Sequence, residues 1–116
     1  MAVYVSNIVI DQGFDFSTIF GLEDARTNSA LNLTGYGATS QLRKSPSSLT
    51  AVSFASTVID ALVGAIQISL TSEQTLNLRP GRYVYDVMLE YGGVGSGGNK
   101  YKAVEGMVLV RAGVTH

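Results

Sequence analysis

The run Gly93-Val94-Gly95-Ser96-Gly97-Gly98 matches the pattern G-x-G-x-x-G and follows a strand-like segment. In a dinucleotide site those glycines open a helix whose first N–H groups hold a pyrophosphate, and an acidic residue about 20 positions on binds the ribose. Here the following segment, Tyr101 to Val110, alternates like a strand, and the chain ends before the acidic position. The phosphate-binding P-loop pattern fails too, because Lys100 is displaced and Tyr101 stands where Ser or Thr is needed. The run reads as a flexible hairpin tip, so no cofactor is expected.

Other chemistry is sparse. The single histidine, His116, is the last residue, which leaves a Ser-His-Asp arrangement without a base. There are no cysteines, so thiol catalysis, thiolate metal sites and disulfides are excluded. Glu23 and Asp24 sit in a polar stretch that reads as a turn, and Asp11 and Asp15 flank another. No carboxylate pair suggests acid–base work, and no Ca²⁺-loop pattern occurs. No catalytic or metal-binding residue is assigned, and the chain reads as a non-enzyme.

Charge narrows the partners. Eight Lys and Arg face nine Asp and Glu, for a net charge of −1. Nucleic-acid affinity needs clustered cations, and the largest cluster is Arg43-Lys44. Nucleic acid is therefore not an expected partner. No stretch approaches the ~20 apolar residues of a membrane span, so no membrane is expected either. The start, Met1 to Ile10, lacks the basic end and cleavage pattern of a signal peptide. The sequon Asn32-Leu33-Thr34 then carries no glycan. Hydrophobic residues make up 46% of the chain and charged ones 15%, an apolar balance that points to surface covered by neighbours.

The positioning elements are strands. A chain of 116 residues fits one domain, 1–116. Val3 to Ile10 is apolar without strict alternation. Asp11-Gln12-Gly13 is a turn, and Phe14, Phe16, Thr18 and Phe20 then alternate with Asp15, Ser17 and Ile19. Gly21 to Ser29 reads as a hairpin turn. Tyr36, Ala38, Ser40 and Leu42 form one strand face, and Ser45 to Ser48 a loop. Leu49 to Thr57 reads as a strand, with Val52 and Phe54 on one face. Ile66, Ile68 and Leu70 point inward from the next. Thr71 and Gln74 have capping-box spacing for one helical turn. Tyr83, Tyr85, Val87, Leu89 and Tyr91 alternate with Arg82, Val84, Asp86, Met88 and Glu90, which predicts a strand with Tyr83, Tyr85, Val87 and Leu89 inward. Lys100 to Arg111 is the last strand.

Seven or so strands predict an all-β fold, an antiparallel two-sheet β-sandwich of immunoglobulin-like form. In such sandwiches a tyrosine near the start of the sixth strand bonds back to the backbone just upstream. Gly81-Arg82-Tyr83 fits that arrangement, so the Tyr83 hydroxyl should bond within residues 76–81. Tyr85 falls where antibody domains carry their second cysteine.

Met1–Ile10, Asn32–Tyr36 with Gln41–Lys44, Leu70–Gln74, Pro80–Asp86 and Val104–Arg111 resemble small virion structural proteins of tailed phages, those of cyanobacterial phages above all. A looser likeness runs to N-terminal sandwich domains of phage baseplate and receptor-binding proteins, where an L-T-G motif also precedes a strand ending in basic residues. The resemblance implies a non-enzymatic virion component in capsid decoration, neck, tail or baseplate. It would be a homo-oligomer docked on other virion proteins, and it implies no catalytic residues. A carbohydrate- or receptor-binding module is the alternative, favoured if Tyr4, Tyr91 and Tyr101 are exposed near loop tips.

The expected partner interface has two parts. Val3, Tyr4, Val5, Ile8, Val9 and Ile10 place apolar groups on both sides of an edge strand with no charge or proline before Asp11, and a domain core covers one side only. Met88, Met107 and Leu109, with Val84, fall on outward positions of the last two strands.

Overall fold

A computed structural model describes residues 3–23, 29–48 and 51–114. The fold is all-β. Eight strands run β1 (Tyr4–Val5), β2 (Ile8–Asp11), β3 (Phe16–Gly21), β4 (Tyr36–Arg43), β5 (Val52–Asp60), β6 (Ala65–Leu70), β7 (Gly81–Tyr91) and β8 (Lys100–Arg111). A 3₁₀ turn, Ala61–Val63, precedes β6, and a short helix α1, Ser72–Leu76, precedes β7.

The strands form one curled, open sheet in the order β1-β8-β7-β4-β5-β6-β3, with β2 also paired to β8. The sheet is mixed. β1 and β2 run parallel to β8, through Tyr4↔Val104 and Ile8↔Val108 among others, and every other strand pair is antiparallel. The purely antiparallel expectation fails at this edge. β5 explains the curl: Val52 and Phe54 pair with β4, whereas Ala55 to Asp60 pair with β6. The sheet therefore folds over within one strand, and its two halves face each other. Rings from distant positions in the strand order meet across the interior: Phe20 of β3 stacks on Tyr85 of β7 at 6.4 Å, and Phe54 meets Tyr85 at 6.2 Å.

Period-two patterning decides which face is buried. Ile66, Ile68 and Leu70 of β6 and Tyr85, Val87 and Leu89 of β7 are buried, as the alternation requires. Fully burying each such aliphatic side chain contributes about 1.5–3 kcal/mol. The one buried hydroxyl of β4, on Ser40, donates to the Asp86 carbonyl at 2.6 Å, so the core keeps no unpaired polar group there. The Gly21-to-Ser29 reading holds only locally. Glu23 bridges Ala30 antiparallel, but β3 and β4 are not paired, since β3 belongs with β6 and β4 with β7. Residues 24–28 of that turn, Leu49 and Thr50 of the expected Leu49–Thr57 strand, and His116 lie outside the described residues.

The helical turn forms as its spacing dictates. The Thr71 hydroxyl accepts from the Gln74 backbone N–H, and the Gln74 side-chain Oε1 accepts from the Thr71 N–H. Buried Thr75 fastens the helix to the β2–β3 turn, donating to the Phe14 carbonyl at 2.8 Å and accepting from the Gly13 N–H at 3.0 Å. Gln12 reaches the same helix from that turn, donating to the Leu76 and Leu78 carbonyls. The Tyr83 hydroxyl donates to the Arg79 carbonyl at 2.7 Å, the back-bond expected within residues 76–81.

Candidate docking face

Exposed apolar side chains of β1, β2 and β8 lie together on the outward face, beside β7. Val9 pairs with Leu109 in the parallel ladder, and Val84 pairs with Met107 in the antiparallel one. Leu109 and Met107 are two residues apart on one strand and so share a face. Val5, 67% exposed, lines the same cleft as Met107, which is 49% exposed. The result is an apolar stripe across β1, β2, β8 and β7. Polar groups border it: Asp11 and Arg111 form a two-point ion pair, Nε to Oδ1 at 2.8 Å and Nη2 to Oδ2 at 3.1 Å. That guanidinium holds the Asp11 carboxyl below its ordinary value. Lys102 sits between Asp86 at 3.9 Å and Glu105 at 3.4 Å.

Two shallow clefts open on this face. One, of about 730 Å³, runs beside the β1 edge past Val5, Val84 and Met107. The other, of about 290 Å³, lies between β4 and β8 and is lined by Met88, Thr39 and Tyr101.

The expected interface residues divide. Val3, Tyr4, Val5, Val9, Met107 and Leu109 are exposed, and Met88 is half-buried in the smaller cleft. Ile8 and Ile10 are a correction. Both are buried in the chain's own core, Ile10 completely, because β2 obeys strict alternation once paired to β8. A break at Ser6 and Asn7 between β1 and β2 hides this alternation in the sequence.

That break is held from two sides. The Tyr85 hydroxyl donates to the Ser6 carbonyl at 2.5 Å, and burial pushes this hydroxyl up to about 12. From β8, the Met107 N–H donates to Asn7 Oδ1 at 3.0 Å. Ser6 passes so close to Gly106 that a Cβ there would sit 2.0 Å from the Ser6 oxygen. A glycine inside a strand marks such an approach, and Gly106 carried that signal in the sequence.

The glycine loop is folded back rather than free. The two oxygens of Glu90 accept from the N–H groups of Gly95 and Gly97, at 3.1 and 3.0 Å. These amides, Gly95 first, hold the Glu90 carboxyl below its ordinary value. Gly95 and Gly97 take φ values of +84° and +80°, which side chains resist and glycine adopts freely. Val94 lies over Gly37, whose missing Cβ leaves it room. Glu90 is therefore buried although its strand phase points it outward. The amides that a phosphate would need are occupied by this carboxylate, and the following segment is β8, not a helix. Nothing in the alternation announced this latch. Among the described residues no cluster of three or more potential ligands could hold a metal ion, and no helix is long and apolar enough to cross a membrane.

At the hairpin tip, Tyr36 meets Tyr91 edge-on at 5.3 Å and Tyr101 at 6.2 Å. Tyr91, Tyr101 and Tyr4 are all exposed.

No protein-family model matches the sequence, and no curated protein matches it. Among solved structures, the chain is similar to one from a study described as the structural basis of T cell specificity and activation by the bacterial superantigen toxic shock syndrome toxin-1. That likeness covers 91% of this chain and 93% of that one, at 13% identity and a TM-score of 0.54. It is a likeness of fold. Weaker similarities reach a Listeria monocytogenes internalin-like protein (13% identity, TM-score 0.44) and a family 123 glycoside hydrolase from Clostridium perfringens (11%, 0.39). This chain spans 94% and 95% of its own length in them but only 28% and 23% of theirs.

Proposed function

We propose that this chain is an immunoglobulin-like β-sandwich acting as a non-enzymatic structural component of a tailed-phage virion. It would serve in capsid decoration or in the neck, tail or baseplate. Three features support the sandwich: β5 divides between two facing halves, a helical turn precedes β7, and Tyr83 bonds back across the corner to Arg79. The virion reading rests on the segments resembling phage virion proteins.

The observation that carries the docking role is the apolar stripe of exposed Val5, Met107, Leu109 and Val9, with half-buried Val84, on the outward face. Contiguous apolar surface rimmed by charges marks an interaction site. Burying it against another virion protein removes water from five side chains without moving the core.

The test is the double variant Met107→Lys with Leu109→Lys. Both positions are solvent-facing, so circular dichroism and melting should stay close to the parent. Incorporation into purified particles, read by mass spectrometry, should be lost. Normal incorporation of the folded variant, or absence of the parent from particles, would sink the reading.

A second reading has its own observation: the exposed tyrosines at the hairpin tip, Tyr91 and Tyr101, grouped around Tyr36. Aromatic faces bordered by hydrogen-bonding groups suit a sugar or a receptor surface. Glycan-array binding that disappears in Tyr91→Ala and survives in the double-lysine variant would select this role. An empty array would remove it.

A further inference from the structure

The other end of the sheet carries a second, independent surface. β3 is the terminal strand: β6 pairs with one edge, and among the described residues no strand lies on the other. Proteins blunt such edges with charge, proline or a cover. The six residues Phe16-Ser17-Thr18-Ile19-Phe20-Gly21 contain neither charge nor proline. A Cβ placed on Gly21 would meet nothing within 4 Å, so the face of the sheet at the end of the strand is open as well.

The hydrogen-bond parity of β3 can be read from its continuation. The Leu22 N–H donates to the Gly64 carbonyl at 3.0 Å, one step beyond the Gly21↔Ala65 pair. In an antiparallel ladder, successive residues direct their backbone groups to opposite sides. Leu22, Phe20, Thr18 and Phe16 therefore bond toward β6. Ser17, Ile19 and Gly21 direct their N–H and carbonyl groups to the open edge.

The sequence of this strand is nearly its own mirror. If two copies lie antiparallel about Thr18, Phe16 of one faces Phe20 of the other, Ser17 faces Ile19, and Thr18 faces Thr18. The parity fits. The Ser17–Ile19 pairs are those whose backbone groups point across the gap, and the Thr18 pair is the non-hydrogen-bonded one on the axis. A two-fold contact uses one patch twice, which this register satisfies. Phe16, half-buried in one copy, gains a cross-strand aromatic partner, and Ile19, 57% exposed, gains a neighbour.

We propose that β3 is a homodimerisation edge, joining two copies antiparallel about Thr18 into one continuous sheet across the pair. This stands apart from the virion reading, since it uses a different edge and a second copy of this chain. A dimer that fails to enter particles would count against the virion role alone.

The experiment uses the absence of cysteine. Thr18→Cys places one thiol beside its symmetry mate, where Cα atoms of a non-hydrogen-bonded pair lie about 4.5 Å apart, within disulfide reach. Mild oxidation should give a covalent dimer, while Thr57→Cys on β5 should stay monomeric. By light scattering the parent should show twice the 12.3 kDa chain mass. Ile19→Pro should halve it, because that proline removes a donor only from the open edge. Ile19→Lys should do the same, and serves if the proline variant does not fold. A parent monomeric at the highest concentration reached, with no cross-link from Thr18→Cys, overturns the proposal. So does a dimer that survives both Ile19 variants or dissociates on Met107→Lys instead.

Discussion

Tyr85→Phe tests how the N-terminal edge is fastened. The ring is buried between Phe20 and Phe54, and the substitution keeps it. It removes one hydroxyl, which donates to the Ser6 carbonyl at the break between β1 and β2. A net hydrogen bond is worth about 0.5–1.5 kcal/mol, and an acceptor stranded away from water costs more. The bond is only part-buried, so water can partly replace it. A loss of about 1 kcal/mol is expected, or ~4 °C in Tm for a domain of this size. The alkaline limb offers a second readout. Burial raises the folded hydroxyl from 10.0 to about 12, so the folded chain keeps a proton that the unfolded chain loses. Stability from this group is complete below pH 10 and is lost as pH rises toward 12. Two units at about 1.4 kcal/mol each set the ceiling, and solvent screening reduces it to about 1–2 kcal/mol. Urea unfolding of parent and variant at pH 7 and through the alkaline range measures both effects. The gap between the two proteins should narrow as pH rises. Equal stability at pH 7, or a gap that stays constant to pH 12, would refute the argument.

Two further outcomes follow from the backbone. Gly106→Ala drives a Cβ to 2.0 Å from the Ser6 oxygen, a backbone atom that yields only if β1 leaves β8. The loss should be about 2–3 kcal/mol, with rapid amide exchange at Ser6, whose N–H donates to the Glu105 carbonyl; a variant as stable as the parent would contradict this approach. Glu90→Gln should speed exchange at Gly95 and Gly97 and leave the core amides unchanged. In the parent, the amides of Gly95 and then Gly97 lower the folded carboxyl below 4.5, so the latch is complete above that pH and released as pH falls through the folded value. Gly95 and Gly97 resonances that do not move on acidification would mean that the loop is held by something else.

Much of the inward face was legible because period-two alternation depends on nothing outside the strand. Tyr85, Val87 and Leu89 on β7 and the isoleucines of β6 are buried where the alternation puts them. The capping box and the Tyr83 corner were legible because each closes within a few residues. Long-range contacts were not. The parallel pairing of β1 and β2 with β8 joins positions about 100 residues apart, and the local pattern of either segment is compatible with both directions. Glu90 follows the alternation, yet the loop that buries it is drawn over by two glycine amides whose conformations leave no trace in side-chain pattern. A bulge where Val87 pairs with Val104 and Met88 with Lys102 shifts the phase of β8, so that Ala103 and Val104 are both buried.

The N-terminal segment shows how these limits bear on function. Its stretch Val3 to Ile10 is apolar at every position but Ser6 and Asn7 because two demands are interleaved in it. Ile8 and Ile10 serve the core, and β8 alone sets their phase through Val108 and Val110. Val5 and Val9 are left on the opposite face, where they meet Met107 and Leu109. The core can be satisfied by Ile8 and Ile10 with polar residues at the alternate positions, as Ser17 on β3 illustrates beside buried Phe20. Valines at those positions are therefore unexplained by the monomer's own packing. Their alignment with the two exposed apolar residues of β8 is why we propose this face, rather than the whole segment, as the one a partner covers.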